Sequence, residues 1–277
     1  MLMKNKNLLK IMLLAFLFAL TYLPTFKWMQ QRFSAVETYY EHGYLVPFIV
    51  GWLVFRKKDK LIKAPSGTHI GGLWLVIAGL LLHVVGLSSE IKFVSGFSMI
   101  IVLLGMSLYL LGKAKTKEML FAIMFIIFMI PIPRVIVLHI SFRMKMLAAQ
   151  AGTYLINLFG ITAFRDGSVI RIPGATLTVG SPCSGLRSLI ALTALGVLFA
   201  YLVDLPRYKK IILFLCSIPL ALLANVLRIT LIIWVAYLKG EEFATGKFHD
   251  YSGIFTFLFA ILGLILVSRL LQWKKKK

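Results

Sequence analysis

Apolar residues run through this chain in long blocks, and basic residues fall in the gaps between them. A membrane-spanning helix needs about 20 predominantly apolar residues. Eight blocks reach or approach that length: residues 9–26, 40–55, 69–88, 93–112, 118–133, 185–204, 210–230 and 251–271. The second is the weakest. Its clean apolar core, Tyr44 to Phe55, is short for a span and has to tilt little or borrow residues from Thr38 to His42. The pattern predicts an all-α polytopic membrane protein with about eight transmembrane helices.

The basic residues set a direction. Lys4, Lys6 and Lys10 precede the first block, and Arg56, Lys57, Lys58, Lys60 and Lys63 follow the second. Lys113, Lys115 and Lys117 follow the fourth, Arg207, Lys209 and Lys210 follow the sixth, and Lys274 to Lys277 come last. With alternating spans all five clusters fall on one side, which the positive-inside rule makes the cytoplasm. Both termini are then expected inside. The apolar N-terminal block shows no small-residue cleavage site near Pro24 and reads as a retained span.

The longest non-cytoplasmic stretch runs from about Arg134 to Pro182. Its first part, RVIVLHISFRMKMLAAQAGTYLINLF, mixes charges with apolar residues at helical spacing, so a helix in the outer interface is expected. In DGSVIRIPGATLTVG, Val169 to Ile172 and Thr176 to Val179 are β-rich and flank a Pro-Gly turn, which predicts a short hairpin leading to Ser181-Pro182-Cys183. No internal repeat or low-complexity linker divides the chain. Residues 1–277 therefore read as one integral membrane domain.

Composition agrees with a membrane protein: 60% of residues are hydrophobic and mean hydropathy is +0.89. The net charge of +21 would suggest nucleic acid in a soluble protein. Here the charges punctuate apolar runs as anchors, which argues against nucleic-acid binding. The two cysteines, Cys183 and Cys216, make neither a disulfide framework nor a C-x-x-C metal pair. Cys216 lies inside an apolar run and reads as packing, and His69, His83 and His139 read as structural.

Three reactive residues fall at block ends that the charge count puts on one side. Cys183 stands in SPCSGLRSL where an apolar helix begins. A helix N-terminus, with Arg187 one turn on, favours the thiolate, the attacking form. The backbone N–H groups of the small residues Ser184 and Gly185 suit an oxyanion hole. Arg228 interrupts the apolar run LLANVLRITLI, where an arginine is costly and rarely decorative. It lies 18 residues beyond Lys210, about 27 Å along a helix and close to the far edge of the hydrocarbon layer. Asn225 precedes it by three residues on the same helical face. His249, in KFHDYSGIF, is a general acid or base near neutral pH, with Asp250 adjacent in sequence. His42 starts the second block on the outer side and can line the same cavity. A thiol, a guanidinium and an imidazole that meet can cut a peptide bond and hold the acyl half, as in a membrane-embedded cysteine peptidase or transpeptidase.

These residues resemble those of a known family. The run QAGTYLINLFGITAFRDGSVIRIPGATLTVGSPCSGLRSL resembles the core of the exosortase/archaeosortase family. LLANVLRI and FHDYSGIFTF resemble its two later signature blocks, EHGYLVPFIVGWLVFRKK resembles its N-terminal block, and FMIPIPR also fits. The resemblance covers about residues 35 to 271. It implies a multipass protein-sorting enzyme of the cell membrane. Such an enzyme recognises exported proteins by a C-terminal signal made of a short motif, a transmembrane helix and a basic cluster. It cleaves beside the motif on the outer face and is expected to pass the new carboxyl end to an acceptor, such as a lipid or saccharide. Cys183 would then be the nucleophile, Arg228 would stabilise substrate or oxyanion, and His249 would move protons, with no metal or organic cofactor. Some archaeal relatives have arginine in the third place, so His249 makes the chain similar to the bacterial exosortase type. The basic tail is expected to close the chain without the extra extracytoplasmic domain fused to some relatives.

On the residues alone two other classes stay open. A transporter or flippase for a polysaccharide or lipid intermediate would use Arg228 and Arg187 to hold an anionic head group. A non-catalytic assembly factor of an envelope complex would need none of the three reactive residues.

Overall fold

The computed structural model describes residues 2–35 and 39–273, and most of them are helical. The basic run Lys274–Lys277 and Thr38, both used in the sequence reading, lie outside the described residues. Two compact units divide the chain, Met1–Pro133 and Arg134–Lys277.

The first unit comprises α1 (Leu2–Thr21), α2 (Leu23–Phe33), α3 (Val46–Arg56), α4 (Lys58–Lys63), α5 (Gly71–Ser88) and α6 (Lys92–Phe125). Gly72, Gly79 and Gly86 recur every seven residues along α5, close to two helical turns, so they share one face. All three are buried. A Cβ on Gly72 would fall 2.4 Å from the Tyr109 backbone nitrogen, one on Gly79 2.6 Å from Val102, and one on Gly86 2.7 Å from the Ser95 backbone nitrogen. Partner positions descend α6 as the glycines ascend α5. The two helices are therefore antiparallel with their backbones nearly touching, the close approach that small residues permit in lipid.

Two breaks shape this unit. Gly112 within α6 is non-helical, with φ 81° and ψ 173°. Ser107 and Thr116 hydrogen-bond side chain to side chain at 3.0 Å. Nine residues of unbroken helix would separate them by about 13 Å, so the chain doubles back at Gly112. The other break is a 63° bend between α1 and α2. Pro24 offers no N–H to the Leu20 carbonyl, which weakens the ladder there. His83 donates from Nε2 to the Thr21 carbonyl at 3.0 Å, and its Nδ1 lies 2.8 Å from Ser95 Oγ. It fastens the bend to α5 and α6. At the other end of the unit, Lys57 Nζ meets Glu118 Oε2 at 2.9 Å, so the basic clusters after α3 and after Gly112 lie together.

By length and composition, four described helices can cross a membrane: Gly71–Ser88, Lys92–Met129, Arg207–Lys239 and Tyr251–Gln272. The bent pair Met12–Thr21 and Leu23–Phe33 makes five if it is one span. The chain is thus a multi-pass membrane protein. The difference from the eight expected has identifiable sources. Residues 93–112 and most of 118–133 fall within one 38-residue helical run, Lys92–Met129, which the length test counts once although it folds back at Gly112, between the two predicted blocks. The block at 40–55 yields a 3-10 turn, Glu41–Tyr44, and then α3, whose 11 residues rise about 16 Å against a layer of about 30 Å.

The second unit comprises α7 (Arg134–Leu158), strands β1 (Phe164–Asp166), β2 (Val169–Ile172) and β3 (Ala175–Thr178), then α8 (Leu186–Leu202), α9 (Arg207–Lys239), α10 (Glu241–Thr245) and α11 (Lys247–Trp273). At 17 residues, α8 rises about 25 Å and falls short of the same length test. The segment read as an outer interfacial helix is α7. It buries Val137, Ser141, Met144, Ala148, Gly152 and Ile156, a stripe at three- and four-residue spacing. Gly152 brings that stripe against Ile229 of α9.

The sheet has three antiparallel strands in the order β1-β2-β3, one more than the hairpin expected. Ile172 pairs with Ala175, leaving Pro173-Gly174 as the connection, with Gly174 at φ +81°. Proline followed by a positive-φ glycine suits a type II turn. The added strand β1 is exposed throughout, so alternating burial offered no signal for it. Ile170, Ile172 and Leu177 point inward and join Ala149, Ile156, Ile229 and Ile233 in one core. Cys183 belongs to the same core, so the inward face of the sheet delivers the chain to that residue.

Candidate active site

Three elements of the second unit supply the polar groups. The segment Ser181–Ser184 forms a 3-10 turn between extended Gly180 and left-handed Gly185, and the Cys183 N–H donates to the Gly180 carbonyl at 3.1 Å. Gly185, at φ 76°, is the N-cap of α8. Cys183 thus sits in a turn immediately ahead of the helix, whose apolar block the sequence starts at residue 185. Asn225 and Arg228 come from one face of α9, and His249 from the first turn of α11.

These groups touch. Cys183 Sγ hydrogen-bonds His249 Nε2. Arg228 Nη2 lies 3.3 Å from the same nitrogen and donates to the His249 carbonyl at 3.0 Å. A guanidinium can only donate, so Nε2 is an acceptor and the neutral ring carries its proton on Nδ1. Nε2 has a single lone pair, which the guanidinium N–H and the thiol S–H share. Asn225 Nδ2 donates to the Cys183 carbonyl at 3.2 Å.

Electrostatics depart from the sequence expectation of a favoured thiolate. Cys183 is 8% exposed and lies outside the spanning segments. Burial pushes its thiol above the ordinary cysteine value, and the Arg228 charge and a backbone hydrogen bond at Gly180 offset this only in part. At rest the sulfur holds its proton next to a base, with a fixed cation close by. Such a set can transfer the thiol proton to imidazole as sulfur attacks, and can hold the negative charge that develops.

The other expected residues divide. Ser184 is fully buried, and its Oγ accepts from the Leu186 N–H at 3.4 Å, at the start of α8. Gly185 abuts Asn225. Arg187 is exposed on α8 and is not among the groups that act on the thiol. The Asp250 side chain lies outside the described residues. His42 belongs to the first unit, where its Nε2 donates to the Phe128 carbonyl at 3.0 Å. Two residues escaped the sequence reading. Ser252 accepts from Arg228 Nε at 3.2 Å and donates to the His249 carbonyl at 2.7 Å, and Gly253 lies directly beneath the guanidinium. Their signal was available: they follow His249 by three and four residues, hence on its helical face.

The family model described as transmembrane exosortase matches residues 28–266, most of the chain, and includes all of these positions. The chain belongs to the transmembrane exosortase family. No curated protein and no solved structure matches it.

Proposed function

We propose that this exosortase-family protein is a membrane-embedded cysteine protease and transpeptidase. Its substrates are exported proteins bearing a C-terminal motif, transmembrane helix and basic cluster, and it acts on the extracytoplasmic face of the cell membrane with both termini in the cytoplasm. The contact of Cys183 Sγ with His249 Nε2, beside Arg228, is the observation that carries this reading.

The substrate helix enters from the bilayer and lays its motif beside Cys183. Sulfur attacks the scissile carbonyl carbon while the S–H proton passes to His249 Nε2. Arg228 and the backbone N–H groups of Ser184 and Gly185 hold the oxyanion, and Asn225 holds the turn that carries the thiol. Collapse breaks the C–N bond, and the imidazolium gives its proton to the departing amine. The thioester on Cys183 is then opened by an acceptor: water, an amine, or a lipid or saccharide group. His249 takes the acceptor's proton and the thiol is restored.

Depth in the membrane supports the outer-face assignment. Lys209 Nζ donates to the Leu271 carbonyl, so the start of α9 and the end of α11 meet. From there Arg228 and His249 each lie about 30 Å along their helices, the thickness of the hydrocarbon layer.

The test is co-expression with a tagged exported protein carrying the three-part tail. Cys183→Ala abolishes processing while membrane insertion stays intact, and mass spectrometry of the wild-type enzyme finds an acyl adduct on Cys183. Unchanged cleavage by Cys183→Ala overturns the proposal.

A further inference from the structure

We propose that Ser252 and Gly253 form a cradle that positions the Arg228 guanidinium against the Cys183–His249 pair. The inference rests on the enzymatic reading only for its consequence in processing. The cradle itself is a matter of geometry.

An arginine head sits on a flexible stem, and its charge serves a site only where its plane is held. Here a closed loop of hydrogen bonds holds it. Arg228 Nε donates to Ser252 Oγ at 3.2 Å, Ser252 Oγ donates to the His249 carbonyl at 2.7 Å, and Arg228 Nη2 donates to that same carbonyl at 3.0 Å. A helical serine often bonds a carbonyl one turn back. What distinguishes Ser252 is that its remaining acceptor capacity faces an arginine from another helix. The loop turns Nη2 toward His249 Nε2, the nitrogen that also meets the thiol.

Gly253 provides the room. A Cβ there would fall 3.2 Å from Arg228 Nη2, 3.3 Å from Cζ and 3.6 Å from Nη1. The flat face of the guanidinium thus rests on a bare backbone, and alanine would lift it by a few tenths of an ångström. Ser252 sets the orientation and Gly253 admits the group. Ser252 is a positioning residue that acts on the sulfur through Arg228.

Thiol chemistry tests this without a substrate. In a Cys216→Ala background, purified in detergent, alkylation of Cys183 by iodoacetamide is followed from about pH 6 to about pH 10. Arg228→Gln is expected to move the profile to higher pH. Ser252→Ala moves it the same way by about half a unit, or about threefold in rate below the midpoint. Gly253→Ala also moves it upward, and Ser252→Thr restores the wild-type profile. Adding Ser252→Ala to Arg228→Gln gives no further shift, because the serine works through the arginine.

The proposal is overturned if Ser252→Ala leaves the profile in place in folded protein, or if it shifts the profile equally with and without Arg228. It is also overturned if Arg228→Gln has no effect. Continued processing by Cys183→Ala would defeat the enzymatic reading and leave the cradle standing.

Discussion

The Asn225 amide fills the space that a side chain on Gly185 would need: a Cβ there would fall 2.4 Å from Asn225 Cγ. The same amide donates to the Cys183 carbonyl at 3.2 Å. One side chain of α9 therefore grips the turn that carries the thiol on both sides of Ser184. Gly185 is required twice, once for its φ of +76° and once for its missing Cβ.

Gly185→Ala should therefore cost more than a backbone penalty. A left-handed residue with a Cβ costs about 1–2 kcal/mol, and displacing Asn225 adds about 1–3 kcal/mol of overpacking. Gly174→Ala is the comparison, because its φ is +81° but nothing lies within 4 Å of the added carbon. Thermal unfolding in detergent is expected to show a large loss for Gly185→Ala and a small one for Gly174→Ala. Equal losses would rule out the clash.

Asn225→Asp should be worse than Asn225→Ala. Alanine removes a hydrogen bond of about 1 kcal/mol, whereas a carboxylate opposite the Cys183 carbonyl has no proton to donate and adds repulsion. Processing and thermal midpoint are expected to fall in the order wild type, alanine, aspartate. A stability of aspartate at or above that of alanine would contradict the contact.

The Cys183 thiol is held above its ordinary range by burial, with Arg228 pulling it back. Alkylation of wild-type Cys183 should therefore be slow at neutral pH and rise only above the range of an exposed thiol. The stability consequence has a definite sign. The unfolded chain releases this proton first, so the contribution is complete below the unfolded thiol value of about 8.5 and declines as pH rises toward the folded one. Cys183→Ser should flatten that alkaline decline. A decline of the same slope in both proteins would remove Cys183 as its cause.

Gly72→Val should disrupt the first unit, since the new side chain meets the backbone of Gly105 and Tyr109 and only separating α5 from α6 relieves it. Gly51, on α3, has nothing within 4 Å of an added carbon. Gly51→Ala should gain up to about 1 kcal/mol from helix propensity. Yields of monodisperse protein and thermal midpoints check both, and a tolerated Gly72→Val would refute the backbone contact.

Much of the helical architecture was legible in hydropathy, because burial in lipid imposes long apolar runs. The basic gap at Lys113, Lys115 and Lys117 separates two apolar blocks, and α6 folds back beside it at Gly112. Strand β1 was missed because it is exposed, and Ser252 because a serine one turn after a histidine is common in any helix. The expected thiolate failed for a different reason. Sequence shows charges near a cysteine, but desolvation depends on how many elements close around it, and here α7, the sheet and α9 all do.

The sequence by itself determined the membrane character, the family, and the placement of Cys183, Arg228 and His249 at the ends of apolar blocks, since periodicity and residue chemistry are local properties. The packing of α9 and α11 about the Cys183 turn decided that the three side chains touch, that Nε2 is an acceptor, and that the sulfur keeps its proton. Those outcomes turn on distances between residues remote in the chain, which only a folded backbone sets.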